Sequence, residues 1–365
     1  MDHGTGAGQR FIFFTYAAAS FTKRGFSSFA KYVGPSHHVF RFCLMTSPLW
    51  SNHSRRGTRS RPGRFVDTTE TRRGEQCEFV RKHEVMDAYL DRLINLSLDE
   101  DLGSAGDVTS LAVVPADAMG TATLLAKEHM VLSGLAAFAR TFELVDPSVE
   151  VKFVMKDGQK TKATQVVADL KGPLRSLLTA ERTALNIVQR CAGMATAASQ
   201  AVALLNSVRG TRLKILDTRK TPPGMRGLAK QAIKDGGAHN HRFGLFDGVL
   251  IKDNHIAAVG GSISKALERA KANAPRLVKI EIEVTNLKQL KEAIDHGAHI
   301  VMLDNMDDEQ IKDAVSLADG RVELEVSGGI TAERLPRLAK LGVDYVSMGA
   351  LTHSARAMDL SLEIA

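Results

Sequence analysis

Between Leu213 and Ala350 six short apolar runs recur: LKILDT, GVLIKD, VKIEIEV, HIVMLDN, VELEVSGG and DYVSMGA. Amphipathic stretches such as SISKALERAKAN and NLKQLKEAIDHG separate them. That rhythm predicts parallel strands joined by covering helices. Each run ends in a polar or glycine-rich element, and groups gathered at the carboxyl ends of successive parallel strands are what a β/α barrel displays at its active face. An open doubly wound sheet is the competing layout. It would concentrate such groups at one switch crevice rather than on every strand.

The preceding residues follow another pattern. VMDAYLDRLINLSLDEDL has helical spacing at Val85, Tyr89, Leu93 and Leu96. GTATLLAKEHMVLSG and VEVKFVMKDG read as strands around a helical LAAFARTFELV, and SLLTAERTALNIVQRCAGMATAASQAVALLNSV reads as one long helix or two, with Gly193 as the candidate break. The order is that of an α+β unit. The expected organisation is a leader over 1–84, an N-terminal α/β sandwich domain over 85–193, a β/α barrel over 194–350, and a C-terminal segment over 351–365 that packs back on the first domain.

The formal charge of +7 on 365 residues is unevenly spread. Residues 1–66 hold ten Lys or Arg and one acid, Asp2, so they carry +9 and leave −2 for the rest. The basic bias belongs to the leader, and charge gives no support to nucleic-acid binding by the body. An Arg- and Ser-rich, acid-poor leader has the composition of an organellar targeting segment, for plastid or mitochondrion. The bland alternative is a disordered extension, with Met45 and Met86 as later starts, on a cytoplasmic protein. No apolar run is long enough to span a bilayer. Cys43, Cys77 and Cys191 form neither a metal-ligand nor a disulfide pattern, as in a reducing compartment.

The strand ends bring together Arg219, Lys220, His241, Arg242 and Lys252, cationic or able to become so. They point to a multiply charged anionic substrate, because Arg forks match carboxylates and phosphates while Lys acts as a point charge. Side chains alternate along a strand, so in KIEIEV the apolar Ile280, Ile282 and Val284 share one face and Glu281 and Glu283 the other. An acidic face inside a barrel is costly unless it meets cations, metal or hydroxyls. Glu283 and Asp304 therefore suit sugar hydroxyls or Mg²⁺. SGGI and SMGA, with Ser327, Gly328, Gly329 and Gly349, suit close approach of backbone N–H groups to a phosphate. Taken singly, each has a duller reading: a solvated loop, a turn, a structural histidine, or a Lys252–Glu283 pair.

With these residues assembled, the body from about Met86 onward resembles the quinolinate phosphoribosyltransferase family. The resemblance rests on EDLGSAGDVTS, AERTALNIVQRCAGMAT, DTRKTPPGMR, NHRFGLFDGVLIKDNHI, IEIEV, VMLDNM, EVSGGIT and SMGALTHS. It implies phosphoribosyl transfer from phosphoribosyl pyrophosphate to quinolinate, giving nicotinate mononucleotide, pyrophosphate and CO2 with Mg²⁺, in NAD biosynthesis. It also implies an N-terminal sandwich beside an incomplete barrel, in a homodimer or hexamer. By the resemblance, Arg219, Lys220 and Thr221 contact substrate, and His241, Arg242 and Lys252 complete the pocket for two carboxylates. Arg182 would enter the neighbouring subunit's site. Glu283 and Asp304 would hold ribose hydroxyls and, directly or indirectly, the metal, and Ser327, Gly328, Gly329 and Gly349 would cradle the 5′-phosphate. Lys220, Lys252, Glu283 and Asp304 form the expected catalytic set. Two rivals are a phosphoribosyltransferase for another pyridine carboxylate and a barrel aldolase using Lys252 as a Schiff-base lysine.

Overall fold

The computed structural model describes residues 88–365. The leader, Met45, Met86, Val85, Cys43 and Cys77 lie outside the described residues. The first described element, α1 over 88–102, corrects the expected apolar stripe. Tyr89 and Leu96 are exposed, while Ile94 and Leu98 are buried with Leu90 and Leu102 beside them. Spacing of four carries the contact face, and the sequence offered apolar residues on both sides of the helix.

The N-terminal unit is an antiparallel sheet of β1 (Met119–Ala126), β2 (Glu150–Phe153), β3 (Gln165–Pro173) and β10 (Leu360–Ile364), in the order β10-β1-β3-β2. The last strand of the chain thus pairs with the first, Leu124 opposite Leu362. α2 (Val108–Val113) precedes the sheet, and α3 (Leu135–Val145) packs on it through Phe138 and Phe142, whose ring centroids lie 5.0 Å apart.

α4 (Leu174–Asn206) is one uninterrupted helix of 33 residues, so Gly193 is no break. Its glycine has another cause: a Cβ there would overlap the carbonyl oxygen of Arg356, where the C-terminal segment crosses the helix. At about 1.5 Å per residue the helix runs roughly 50 Å. Leu177, Ala180, Leu185 and Val188 join the sheet's core, and Ala198, Ala201 and Leu205 join the barrel's. One rod serves both cores.

Six parallel strands follow: β4 (Lys214–Leu216), β5 (Val249–Ile251), β6 (Ile280–Val284), β7 (Ile300–Asp304), β8 (Glu323–Ser327) and β9 (Tyr345–Ser347), in the order β4-β9-β8-β7-β6-β5. β5 to β9 are consecutive neighbours wound one way, so the sheet has no reversal of strand order and the doubly wound layout is excluded. On the free side of β4 the segment around His239 forms a parallel bridge to Leu216. Among the described residues no pairing joins that segment to β5, which leaves the barrel incomplete.

Between the strands lie α5 (Arg226–Asp235), α6 (Asp253–Ala258), α7 (Ile263–Asn273), α8 (Leu287–Asp295) and α9 (Asp308–Ala318). After β8 come a 3-10 turn (Ala332–Arg334), α10 (Leu335–Leu338) and, beyond β9, α11 (Ala350–His353). Ile280, Ile282, Val301, Leu303, Leu324 and Val326 point outward and are buried with Leu267, Leu290 and Ile311 of the helices. Alternation then turns Glu281, Glu283, Met302 and Glu325 to the barrel interior. Among the described residues no helix is long and apolar enough to cross a membrane.

Candidate active site

β4 ends at Leu216, and the next residue, Asp217, is fully buried. Its Oδ1 accepts from Lys230 Nζ of α5 at 2.5 Å and from the His241 backbone N–H at 2.9 Å. Lys230 Nζ also donates to the His241 carbonyl at 2.9 Å. The Asn240 amide, with its nitrogen turned inward, donates to Asp217 Oδ2 at 3.0 Å. Burial pushes the Asp217 pKa up and the Lys230 pKa down, and the ion pair opposes both shifts. This knot fixes the 240–242 segment beside β4. Sequence reasoning missed it, although an acid closing an apolar strand was the available signal.

A second stitch holds the turn after β4. Arg226 donates through Nε to Thr221 Oγ1 at 2.6 Å, and through its two other nitrogens to the carbonyls of Arg219 and Phe243, each at 2.9 Å. Thr221 is therefore placed as an anchor of the loop and is absent from the lining below. Thr352 Oγ1 donates to the Lys220 carbonyl at 2.7 Å.

These supports surround a cavity of about 360 Å³ at the carboxyl ends of the strands. Thr218, Arg219 and Lys220 line it after β4, His241 and Arg242 from the bridged segment, and Lys252 after β5. Met302, Ser327 and Ser347 close it from β7, β8 and β9. Four of the expected cations, Arg219, Lys220, Arg242 and Lys252, thus share one cavity. Arg242 donates to the Gly248 carbonyl at 3.0 Å, and burial together with the nearby Arg219 charge lowers its pKa. Lys252 is ion-paired to Glu283.

His241 lines the cavity and also reaches the acids of the barrel interior. Its Nε2 lies 3.2 Å from Glu281 and 3.5 Å from Glu325, and its Nδ1 accepts the Arg242 backbone N–H at 2.7 Å. Burial alone would lower the His241 pKa, but the Glu281 hydrogen bond and both carboxylate charges raise it. Burial and the Glu281 charge push Glu325 up to about 8. The two shifts compete for the same proton, and the acceptor geometry at Nδ1 favours the carboxyl as its holder. Sequence reading noted Glu281 only as sharing a strand face with Glu283 and did not single out Glu325.

Models of the quinolinate phosphoribosyl transferase N-terminal and C-terminal domains match residues 107–192 and 194–363. A probable nicotinate-nucleotide pyrophosphorylase (carboxylating) of Bacillus subtilis is 41% identical over 275 residues, 75% of this chain and 93% of its own. The chain belongs to the quinolinate phosphoribosyltransferase family. A chloroplastic nicotinate-nucleotide pyrophosphorylase (carboxylating) of Oryza sativa subsp. japonica is 39% identical over 292 residues, 75% of this chain and 77% of that one. The solved nicotinate-nucleotide pyrophosphorylase of Francisella tularensis aligns with a TM-score of 0.72 at 42% identity, over 76% of this chain and 96% of that one.

Within this family member, the remaining expected residues lie at varied distances from the cavity lining. Asp304 ends β7, and the Asn305 amide donates to its Oδ2 at 2.8 Å. Gly328 follows β8 at φ 92°, and a Cβ there would overlap the Asn305 side chain, so the turn requires glycine. Gly329 also has a positive φ, with open space where a Cβ would stand. A Cβ at Gly349 would lie 3.3 Å from Lys220 Cδ, which places that backbone against a cavity cation. Arg182 lies on α4, largely exposed, 3.6 Å from Glu181 and outside this cavity. Cys191 is buried, and burial pushes its thiol up to about 12, so it is no nucleophile at neutral pH.

Proposed function

We propose that the chain transfers the phosphoribosyl group of phosphoribosyl pyrophosphate to quinolinate, with loss of CO2, to form nicotinate mononucleotide and pyrophosphate. The observation that carries this reading is the meeting of Arg219, Lys220, Arg242 and Lys252 in one cavity. A ring with two adjacent carboxylates is an anion of the right charge for such a wall, and the Arg forks can grip carboxylates side-on. Lys252 is engaged by Glu283, whereas a Schiff-base lysine must present a free amine. The matched relatives, named nicotinate-nucleotide pyrophosphorylases, also speak against the aldolase reading.

The steps follow from charge. Departure of pyrophosphate builds positive charge on the ribose, and carboxylates at the ends of β6 and β7 favour that charge electrostatically. The ring nitrogen attacks, becoming cationic, and the carbanion left by CO2 is stabilised beside it until a proton from water completes nicotinate mononucleotide. The cations orient the acid and hold its nitrogen toward the sugar. Glu283 and Asp304 do not make a closed metal site, because Glu283 is committed to Lys252. Asp304, whose Oδ1 makes no hydrogen bond among the described residues, is the carboxylate fitted to hold Mg²⁺ together with substrate phosphates. Bound there, the ion would neutralise the leaving group. Ser327, Gly328, Gly329 and Gly349 form the 5′-phosphate end, and the open space beside Gly329 supports room for an anion there.

Arg182 supports an assembly in which each subunit completes its neighbour's site, since among the described residues its exposed guanidinium has only Glu181 as an acidic partner. The leader supports organellar import, since the matched relatives cover 75% of the chain and a rice relative is named chloroplastic. A fluorescent fusion of residues 1–84 would collect in plastid or mitochondrion, and a diffuse signal would remove that assignment. The activity is tested with quinolinate labelled in the carboxylate next to the ring nitrogen. One labelled CO2 released per nucleotide formed supports the reaction, and nucleotide without CO2 refutes it.

A further inference from the structure

Beneath the cavity lies a second one of about 250 Å³, and His241 and Arg242 line both. Glu281 of β6 and Glu325 of β8 stand in this partition, 7% and 2% exposed in their side chains. The Oε1 atoms of both are buried and make no hydrogen bond among the described residues. One ligand atom from each of His241, Glu281 and Glu325 falls within 4.8 Å of the others. Two buried carboxylates at that separation, each with an orphaned oxygen, are strongly disfavoured if both are ionised and nothing lies between them. One proton between them removes a charge and gives the orphaned oxygens a donor.

We propose that His241, Glu281 and Glu325 act as one single-proton unit in the barrel floor, positioning residues whose charge sets the cavity's affinity for its anionic acid substrate. Ser347 of β9 lies beside Glu325, whose charged neighbours are Glu281 and His241. Lys230, committed to Asp217, acts on His241 from α5, and Arg242 acts on Glu281. Asp247, Lys279 and Tyr345 line the same lower cavity. With Nδ1 accepting from the Arg242 N–H, His241 donates Nε2–H to Glu281, and the remaining proton resides on Glu325. The unit then carries one negative charge. A histidinium between two carboxylates would contain the same number of protons and the same net charge, so the unit titrates as a whole.

The sign is fixed by the raised Glu325 pKa. The proton is held below about 8 and lost above it. Its loss places a second negative charge directly under the bound acid and turns the His241–Arg242 wall less favourable. Affinity is therefore full on the acid side and falls as pH rises through this value. Proton linkage limits the weakening to about tenfold between pH 7 and 9.

The inference rests on the reading of the cavity as the acid-binding site, and the experiment separates the two. KM for quinolinate, at saturating phosphoribosyl pyrophosphate, is measured from pH 6.5 to 9 for the wild-type protein and Glu325→Gln. The wild-type KM is expected to rise about tenfold, with kcat changing less, and the Glu325→Gln profile is expected to be flat. A purely structural Glu325 would shift KM equally at every pH, so a variant that keeps the wild-type rise overturns the proposal. Calorimetry on the wild-type protein at pH 8.5, in buffers of different ionisation enthalpy, serves if the variant does not fold. Net proton uptake on quinolinate binding supports the unit, and no uptake overturns it. A stoichiometric divalent ion retained by the wild type and lost in Glu325→Gln also overturns it, because a metal would keep both carboxylates ionised. No turnover of quinolinate at pH 7 would refute the functional reading itself.

Discussion

Lys230→Met isolates what holds the cationic wall in place. It removes the ammonium but keeps a long apolar stem, so packing at α5 changes little. Asp217 is fully buried and accepts from three groups, of which Lys230 Nζ is the charged one. Breaking a buried pair from one side leaves an uncompensated charge, at a cost of about 3–5 kcal/mol. For a body of this size each kcal/mol moves Tm by roughly 2–4 °C, so a fall of about 10 °C is expected by calorimetry. The penalty has a pH signature. Losing Lys230 removes the interaction that opposes the burial-driven rise of the Asp217 pKa. Folded Asp217 then holds its proton above its unfolded pKa of about 3.9, so the variant loses stability as pH rises between those two values. Its deficit relative to wild type shrinks toward acid pH. Adding Asp217→Asn to Lys230→Met removes the stranded charge and is expected to recover part of the loss. A Lys230→Met protein within about 1 kcal/mol of wild type at neutral pH would refute the reasoning about this pair.

Arg242→Ala removes one fork from the cavity and is expected to weaken quinolinate binding about 10²-fold, read as KM at fixed phosphoribosyl pyrophosphate; an unchanged KM would take Arg242 out of the pocket. Gly193→Ala drives a Cβ into the Arg356 carbonyl and should cost about 1–3 kcal/mol, with faster amide exchange in β10. Native-like stability would show that the C-terminal crossing yields easily. Arg182→Ala mixed with Lys252→Ala should regain partial activity through mixed dimers. No rescue, once mixed dimers are demonstrated, would place Arg182 outside any shared site.

Much of the barrel was legible because its strands are short, largely buried and closed by chemistry. Alternation sufficed to put Glu281 and Glu283 on one face, and the positions of Arg219, Lys220, Arg242 and Lys252 near strand ends sufficed to gather them. The supports were not legible. Asp217 and Lys230 are 13 residues apart on a strand end and a helix, and only the tertiary fold joins them. Glu325 looks like any other acid in VELEV until the barrel closes it over Glu281. β3 was missed because its buried positions, Val167, Ala168, Leu170 and Gly172, break strict alternation and it runs directly into α4. β10 depends on a partner more than 230 residues away, Leu360 opposite Ala126. Gly193 looked like a helix break because only tertiary contact reveals the backbone that crosses it.

The cavity's four cations make selection of a dicarboxylate the central claim. The direct measurement is kcat/KM for quinolinate and for nicotinate with phosphoribosyl pyrophosphate, on the same preparation. One lost carboxylate leaves a charged group of the pocket unpaired, a difference of about 2–5 kcal/mol, so quinolinate is expected to lead by 10²-fold or more. Equal use of nicotinate would contradict the claim.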